Sequence, residues 1–418
     1  MTLPSTELPP FLTYRQGRLY FEELALEELA AQFGTPVYIY STGALRAAYH
    51  HSIQPFRKAG LDLSLCYAIR ANSNLNIIRL FGEMGAGASV VSGGELYRAL
   101  QAGINPTEIL FAGVGKSADE MDYALTHKIG GFNVESASEL ALLERRAIAV
   151  GQKARVTLRV NLDEDVGTQP YTTTRLHHTK FGIRPTQALD LAHYAAQSDS
   201  LSLVGLQMYC GSPLVKVEPT AFTRLLSLAT QLEAEGIPLE QLDLGESLGI
   251  TPLTEEPELA ARELAALLKA HGVEGKYRLL SEPSRYLTAN AGVLLTTLLY
   301  LKQDEVESLS FAIVDTDMKP ALYGDRIVPL HQRLDAPLQV YEAVGSAYDN
   351  NDFLGKGLLL PELKEGDGLA VLGAGAYGFS RAYNYNSRLR PPEILVDEYT
   401  ARLIRYRESY KDLILLES

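Results

Sequence analysis

The sequence predicts an α/β fold followed by a β-domain: a (β/α)8 barrel of the TIM type and a C-terminal sheet region. Two observations support this prediction. From about residue 36, short β-branched runs alternate with longer segments whose apolar residues recur at i, i+3, i+4 and i+7, as in amphipathic helices. After about residue 292 the runs are extended, are separated by Gly and Pro turns, and include few helical segments.

Eight short runs before residue 292 have the length and composition of buried strands. Helical segments such as Ala137–Val150 and Ala221–Glu235 lie between them, so we expect parallel pairing with right-handed crossovers, and eight such strands close a barrel. A doubly wound open sheet is the competing interpretation. The predicted strands are Leu63–Ile69, Ser89–Ser92, Glu108–Gly113, Gly131–Val134, Arg155–Val160, Ser202–Met208, Gln241–Gly245 and Arg278–Glu282.

The chain divides into three parts on this interpretation. Residues 1–35 form an N-terminal segment, with an extended piece at Arg18–Phe21 and a helical piece at Glu23–Phe33, which we expect to pack with the β-domain. Residues 36–292 form the barrel and residues 293–418 the β-domain. The extended runs that predict the β-domain are Ala291–Leu301, Ser310–Asp315, Gln339–Val344, Leu369–Leu372 and Ile394–Val396.

Composition and charge exclude several classes of protein. The 418 residues are 46% hydrophobic and 21% charged, with a net charge of −13, so a basic surface for nucleic acid is not expected. Two cysteines, Cys66 and Cys210, cannot build a disulfide framework, and no CxxC or Cys/His spacing suggests a zinc site. No signal-peptide pattern begins the sequence, and the longest apolar run, Val293–Leu301, is too short to cross a bilayer. We therefore expect a soluble, cytoplasmic protein.

Polar motifs follow the predicted strands at their C-terminal ends, where barrel enzymes place their chemistry. In the β-domain, further polar motifs fall in turns. The motifs, in chain order, are Cys66–Asn74, Gly93–Leu96, Phe132–Ser136, Leu158–Asn161, Lys180–Gly182, Leu242–Gly245, Glu282–Arg285, Asp352–Phe353, Gly375–Ser380 and Asn384–Arg388.

Together these motifs resemble the diaminopimelate decarboxylases, which are alanine-racemase-like, fold type III enzymes that use pyridoxal phosphate (PLP). The resemblance is collinear from about residue 36 to the C-terminus. It implies a PLP-type barrel followed by a β-domain, and a head-to-tail homodimer whose active sites lie between subunits. It also implies that Glu282 is the partner of the pyridine nitrogen and that Tyr377 is the phosphate and substrate tyrosine.

The departures from this resemblance lie at positions that bind the cofactor or the substrate in the family. Arg70 stands where the family has the lysine that forms the Schiff base with PLP. A guanidinium stays protonated and its nitrogens are delocalised, so it cannot serve as the imine-forming amine. Ser89 stands in place of an aspartate, and Tyr209 in place of the histidine that stacks on the pyridine ring.

Four further departures surround the implied phosphate and substrate positions. Gly245–Glu246–Ser247 replaces a Gly-Gly-Gly phosphate loop, and Glu246 brings a carboxylate toward a dianion. Ser284 replaces the glycine before Arg285, and Lys319 replaces an arginine. Tyr348–Asp349 replaces the Cys-Glu pair that reaches the substrate across the dimer. Changes concentrated where the cofactor would lie indicate a pocket rebuilt on an intact scaffold.

The resulting hypothesis is a repurposed member that binds or transforms an amino-acid-like or anionic small molecule, with no covalently held cofactor and no metal. Arginine and lysine side chains would supply anion-binding donors, tyrosines would supply stacking faces, and paired carboxylates could run acid–base chemistry. The candidate catalytic residues are Arg70, Tyr209, Tyr348 and Asp349. The candidate ligand-binding residues are Ser89, Glu246, Ser247, Glu282, Ser284, Arg285, Lys319 and Tyr377.

Two alternatives remain open. In the first, the protein is a non-catalytic partner or regulator of an active paralogue, with which it would form a heterodimer. In the second, it is a PLP-dependent diamino-acid decarboxylase. Arg70 argues against that conventional decarboxylation. The sequence leaves open whether the decarboxylase scaffold still supports catalysis.

Overall fold

The structure is a computed structural model that describes residues 8–162, 180–209, 219–246, 257–304, 309–316 and 326–417. It divides into two compact units. The barrel unit is Tyr49–Ser284, and the sheet unit combines the chain up to Ala48 with the chain from Arg285 onward. The sheet unit is therefore built from both ends of the described chain.

The elements are numbered along the chain. The strands are β1 Leu12–Arg15, β2 Arg18–Phe21, β3 Leu24–Ala25, β4 Val37–Ser41, β5 Leu63–Ala68, β6 Gly87–Val90, β7 Ile109–Phe111, β8 Gly131–Val134, β9 Ala154–Asn161, β10 Leu201–Tyr209, β11 Gln241–Asp243, β12 Arg278–Ser281, β13 Gly292–Asp304, β14 Leu309–Val314, β15 Ile327–Pro329, β16 Leu338–Val344, β17 Phe353–Pro361, β18 Gly368–Val371, β19 Glu393–Asp397 and β20 Thr400–Arg405. The α-helices are α1 Leu26–Phe33, α2 Thr42–Lys58, α3 Leu75–Glu83, α4 Gly93–Gln101, α5 Ala118–Thr126, α6 Ala137–Val150, α7 Pro185–Gln197, α8 Pro219–Ala234, α9 Pro257–Ala270, α10 Arg285–Thr288 and α11 Tyr410–Leu413.

Among the described residues, strands β5 to β12 close into a barrel in sequential order, with β12 pairing with β5. Every neighbouring pair in this barrel is parallel. The predicted eight-stranded barrel is thus confirmed, and the open sheet is excluded because the two end strands are hydrogen-bonded to each other. Each strand overlaps its predicted run; β8 coincides with its run, and the boundaries of the other strands differ from the predicted ones by at most two residues.

Polar residues at the ends of barrel strands begin the helices that follow. The Asn74 side chain accepts from the backbone N–H of Asn76 at the start of α3, and Ser92 and Ser136 cap α4 and α6 in the same way. Ser117 and Glu120 form a reciprocal capping box on α5. Such caps satisfy backbone donors that a helix leaves unpaired. Several polar residues of the sequence motifs therefore have a structural role.

The sheet unit contains nine described strands in one mixed sheet and the three-stranded sheet β1–β2–β3. Strand β4 lies in the large sheet, antiparallel to β13 and parallel to β19. The sequence placed residue 36 at the start of the barrel, whereas β4 belongs to the sheet unit. All five residues of β4 are buried, as expected for a central strand covered on both faces.

The core of the sheet unit joins its two parts of the chain. Leu19 and Phe21 of β2, both fully buried, pack in one cluster with Val328, Leu330 and Ile394. The backbone N–H of Leu19 donates to the carbonyl of Leu330 at 2.8 Å. In the described part of the chain, no helix is long and apolar enough to span a membrane.

Gly205 shows how tightly the barrel strands pack. A Cβ on Gly205 would lie 2.4 Å from the carbonyl oxygen of Gln241 and 2.7 Å from its Cγ. We expect Gly205→Ala to lower the free energy of unfolding by about 1–3 kcal/mol because the neighbouring backbone would have to shift. Denaturant unfolding followed by circular dichroism measures this change.

Gly94→Ala is the matched control, because the nearest atom to a Cβ there is 3.8 Å away, within helix α4. We expect that variant to be unchanged or more stable by up to about 1 kcal/mol, since alanine favours a helix over glycine. Equal destabilisation by the two substitutions would contradict the proposed steric cause.

Candidate functional site

Four polar side chains from alternate barrel strands meet inside the barrel. We call Ser89, Asn133, Gln207 and Glu282 the polar layer; they come from β6, β8, β10 and the residue after β12. The Ser89 hydroxyl donates to Glu282 Oε2 at 2.7 Å, and the amides of Asn133 and Gln207 both donate to Glu282 Oε1 at 2.7 Å. All four residues are at least 96% buried. Glu282 therefore accepts a hydrogen bond from one side chain of each of three strands, β6, β8 and β10.

A second carboxyl group, that of Asp243, lies beside the polar layer. Its Oδ2 accepts from Gln207 at 2.9 Å and from Asn133 at 3.2 Å, and its Oδ1 accepts from the backbone N–H of Gly245 at 2.8 Å. Burial raises the pKa of Asp243 well above its ordinary value, and the neighbouring Glu282 carboxyl raises it further. Two carboxyl groups so close in a dry interior favour holding one proton between them.

Two amide oxygens of the polar layer are left without a hydrogen-bond partner within the described residues. These are Asn133 Oδ1 and Gln207 Oε1, whose amide nitrogens are committed to the two carboxyl groups. A buried acceptor without a partner is unfavourable. The layer therefore has acceptors in excess and suits a group that brings a proton donor.

A charged pair lies where two barrel strands end. Arg70 follows β5 in a short 3-10 turn, and its Nη2 lies 3.8 Å from Oε2 of Glu246, which follows β11. The Ser284 hydroxyl, after β12, donates to the other oxygen of Glu246. The side chains of Arg70 and Glu246 are 30% and 28% exposed, so this pair is accessible to a ligand.

Glu95 adds a second carboxylate to the surroundings of Arg70. Burial raises the pKa of Glu95, while its hydrogen bond from the Val91 N–H and the positive charge of Arg70 oppose that shift. Arg70 thus pairs with Glu246, after β11, and interacts electrostatically with Glu95 of helix α4.

Lys116 is a buried amine in the segment after β7. Its ammonium donates to the carbonyls of Gly113 and Asn133, each at 2.7 Å, and to Glu139 Oε1 at 2.6 Å. These three acceptors use all three N–H groups of the ammonium. Burial lowers the pKa of Lys116, and the charge of Glu139 opposes this shift. Its contacts are those of a structural residue that joins two βα segments.

The structure brings together five of the sequence-predicted site residues in two groups. Arg70, Glu246 and Ser284 form one group, and Ser89 and Glu282 belong to the polar layer. The remaining predicted residues lie elsewhere. Tyr209 ends β10, where it pairs with Asn161 of β9. Arg285 begins α10 of the sheet unit, and Tyr348, Asp349 and Tyr377 lie in that same unit. Ser247 and Lys319 lie outside the described residues.

Three residues of the site were not predicted as such: Asn133, Gln207 and Asp243. Asn133 and Gln207 are polar residues in strands whose other residues are mostly apolar, and Asp243 ends the short buried strand β11. That pattern could have indicated them, because a polar side chain in a fully buried strand needs an internal partner. Among the described residues, no group of three or more His, Cys, Asp or Glu side chains is arranged to hold a metal ion.

Comparison with known proteins identifies the relatives of this chain. Residues 46–289 match the family model described as "Pyridoxal-dependent decarboxylase, pyridoxal binding domain". Diaminopimelate decarboxylase of Aquifex aeolicus is 39% identical, covering 98% of this chain and 97% of its own length. That of Pseudomonas aeruginosa is 42% identical, covering 97% of this chain and 98% of its own length.

Solved structures of similar proteins share the fold over nearly the whole chain. Diaminopimelate decarboxylase from M. jannaschii, in complex with L-lysine, is 30% identical with a TM-score of 0.90 and covers 98% of both chains. That from Helicobacter pylori, also with L-lysine, is 35% identical with a TM-score of 0.86, covering 94% of this chain and 99% of that one.

The carboxyl pair of Asp243 and Glu282 gives a pH-dependent prediction. Because the folded protein holds the Asp243 proton more tightly than the unfolded chain, this group costs stability as the pH rises through its raised pKa. Glu282→Gln removes the neighbouring charge and keeps an oxygen for Asn133 and Gln207. We expect the melting temperature of this variant to fall less than that of the wild type between about pH 5 and about pH 8.

Glu393→Gln, in the sheet unit, is the contrasting control. Glu393 is fully buried, accepts from Tyr40 at 2.7 Å and pairs with Arg405. We expect its replacement to cost about 1–3 kcal/mol at both pH values because a charged hydrogen bond is lost. Parallel melting curves for wild type and Glu282→Gln across the pH range would refute the shared-proton interpretation.

Proposed function

This chain belongs to the diaminopimelate decarboxylase family, and we propose that it uses the family's barrel to bind an amino-acid-like small molecule without covalently held PLP. The observation that carries the proposal is Arg70 and its contact with Glu246, at the position where the resemblance implies the Schiff-base lysine. The proposed ligand is an amino acid or a related anion.

A covalent PLP link requires a primary amine that can become neutral. Arg70 has no neutral amine to offer at any ordinary pH. Lys116, the buried lysine described above, has each N–H committed to an acceptor at 2.6–2.7 Å. Making it a nucleophile would require breaking these contacts and leaving Glu139 without its cation. Neither Arg70 nor Lys116 therefore fits PLP held through an imine.

Binding of PLP also requires a site for its phosphate group. Phosphate sites are commonly built from glycine-rich backbone whose N–H groups approach the anion closely. Here Glu246 follows Gly245, and its carboxylate is held between Arg70 and the Ser284 hydroxyl. A phosphate beside it would face a like charge. The residues present do not favour a phosphate at this position.

The Arg70–Glu246 pair offers one partner for each of the two charged groups of an amino acid. An amino acid carries a carboxylate and an ammonium on one carbon, and a guanidinium and a carboxylate 3.8 Å apart offer a partner to each. Arg70 would bind the ligand carboxylate through paired N–H donors, while Glu246 would accept from the ammonium. Ser284 holds Glu246 in place by donating to its other oxygen.

A second candidate function is PLP-dependent decarboxylation of a diamino acid. Relatives that are 39% and 42% identical over nearly the whole chain bear the name diaminopimelate decarboxylase, and the matched family model is a pyridoxal binding domain. Glu282, the residue that the resemblance assigns to the pyridine nitrogen, is present and buried. Under this candidate PLP would supply an electron sink for the carbanion left by CO₂.

Binding of L-lysine, the ligand seen with two solved relatives, tests the proposed site. We expect isothermal titration calorimetry to detect L-lysine binding to the wild type. Arg70→Gln should weaken it about tenfold or more because a charged hydrogen bond to the ligand carboxylate is lost.

Arg145→Gln is the control for the loss of one positive charge, because Arg145 is exposed on α6. It should bind L-lysine as the wild type does. If meso-diaminopimelate and L-lysine both bind Arg70→Gln and wild type with equal affinity, Arg70 is not part of the site.

Restoring the family's lysine separates the two candidate functions. We expect wild type incubated with PLP to show no Schiff base after borohydride reduction and mass spectrometry. Arg70→Lys alone should not release CO₂ from meso-diaminopimelate, because Glu246 still opposes the phosphate. Loss of that anchor is worth about two to three powers of ten in PLP affinity.

Arg70→Gln serves here as the variant with neither amine nor guanidinium. A Schiff base trapped on a lysine of this pocket in the wild type, or CO₂ release by Arg70→Lys, would overturn the PLP-independent proposal and support the second candidate.

A further inference from the structure

The sheet unit contains a cavity of about 550 Å³ beside helix α1, which we call the α1 pocket. One wall is α1 with the two residues that follow it, and the other walls include the segment after β15 and the turn between β17 and β18. All of the described lining residues belong to the sheet unit, and none is a sequence-predicted site residue. The volume lies within the usual range for small-molecule sites.

Much of the lining of the α1 pocket is apolar. Helix α1 contributes Ala30 and Ala31, and the ends of β15 and β17 contribute Pro329 and Pro361. Proline has no backbone N–H, and the side chain of alanine is a single methyl group, so these residues offer a ligand little but hydrocarbon. A saturated carbon chain would leave water favourably against this surface.

Carboxylates outnumber cations around the α1 pocket. The charged side chains of the lining are Glu27, Glu362 and Asp367 on one side and Arg333 on the other, with His331 as the titratable neighbour. Nη1 of Arg333 donates to Asp367 Oδ2 at 2.9 Å and Nη2 donates to Oδ1, so that pair is neutral. Two negative charges remain in excess, and the net charge of −13 on the whole chain has the same sign.

Glu27 shares its cation with another carboxylate. Arg18, which lies outside the lining, donates to Glu27 Oε2 at 3.0 Å and to Glu28 Oε1 at 2.8 Å. His331 Nδ1 lies 3.3 Å from the other oxygen of Glu27. Because one guanidinium serves two carboxylates, this group of side chains keeps one negative charge with a neutral imidazole.

Glu362 supplies the second negative charge. Within the residues that the structure describes, its carboxylate accepts no hydrogen bond and forms no ion pair, and the residue is exposed. Its backbone is held on both sides, because the N–H donates to the carbonyl of Pro337 at 2.8 Å and the carbonyl accepts from Arg333 at 3.0 Å. A carboxylate accepts hydrogen bonds only, so Glu362 suits a cation that carries N–H donors.

The hydroxyl of Thr297 adds a further acceptor to the lining. Thr35 donates to Asp315 Oδ2 at 2.5 Å, and Thr35 Oγ1 lies 2.6 Å from Thr297 Oγ1. Because the single hydroxyl hydrogen of Thr35 goes to Asp315, Thr297 donates to Thr35 and its own oxygen keeps an acceptor position. The α1 pocket therefore combines apolar walls, negative charge and open acceptors.

From these features we propose that the α1 pocket binds a small aliphatic diamine that is protonated at both ends. One ammonium donates to Glu362 and the other lies against Glu27, while the carbon chain contacts Ala30 and Ala31. An anion of similar size is repelled by the same carboxylates. The proposal concerns the sheet unit alone and does not depend on the proposed barrel ligand.

Titration of 1,4-diaminobutane into the full-length protein, followed by calorimetry, tests this site. We expect the diamine to bind more tightly than n-butylamine, butanoate not to bind, and the affinity for the diamine to fall with added NaCl. Glu362→Gln should weaken diamine binding about tenfold because a charged hydrogen bond is lost. Glu274→Gln, at an exposed turn of the barrel unit, removes the same charge and should bind as the wild type does.

Two substitutions on α1 test the position of the ligand. Ala31→Phe places a ring in the lining and should abolish diamine binding, since the cavity is filled. Gln32→Phe is the matched control, because Gln32 is the next residue of α1, is exposed and is not part of the lining. It should bind the diamine as the wild type does. Thermal melting followed by circular dichroism shows whether each variant is folded.

Glu246→Gln distinguishes the α1 pocket from the barrel site, whose carboxylate it removes. Diamine binding should be unchanged in this variant. The proposal fails if 1,4-diaminobutane does not bind at concentrations up to about 10 mM, which corresponds to negligible affinity. It also fails if folded Glu362→Gln and Ala31→Phe both bind the diamine as the wild type does. Loss of binding in Glu246→Gln with full binding in Glu362→Gln would place the diamine in the barrel and overturn the proposal.

Discussion

Closing eight parallel strands into a barrel leaves an interior so narrow that side chains from alternate strands must share one level. In this chain that level is occupied by Ser89, Asn133, Gln207 and Glu282. Because the strands are hydrogen-bonded in register, none of these side chains can withdraw without disturbing its neighbours. The barrel therefore fixes a carboxyl group and its donors with little help from loops.

The same constraint determines how charge is arranged along the barrel. Inside, Glu282 and Asp243 are surrounded by amide donors and dry walls, where one proton is shared more favourably than two charges are held apart. At the strand ends, Arg70 and Glu246 are about 30% exposed and remain an ion pair. A ligand entering here would meet the ion pair of Arg70 and Glu246 at the strand ends.

Much of this architecture could be predicted from the sequence, because buried barrel strands are short apolar runs and the helices between them have a clear period. The sheet unit was harder. Strand β20 is nowhere fully buried, and β17 has an irregular burial pattern with shifts in its pairing with β16, so neither shows a clean alternation. Asp243 and Gln207 were missed as site residues because their importance arises from partners on other strands. Ser284 and Glu246 could be proposed from the resemblance, but their mutual contact could not.

Strand β4 has a consequence for how this protein is made. It pairs with β13 and β19, whose first residues lie about 250 and 350 positions further along the chain. A ribosome adding 5–20 residues per second needs very roughly 10–70 s to supply those partners. During that interval five residues destined for complete burial, Val37–Ser41, have no sheet to join, while the whole barrel unit emerges. The nascent chain therefore carries an apolar segment that must be kept from aggregation until synthesis is nearly finished.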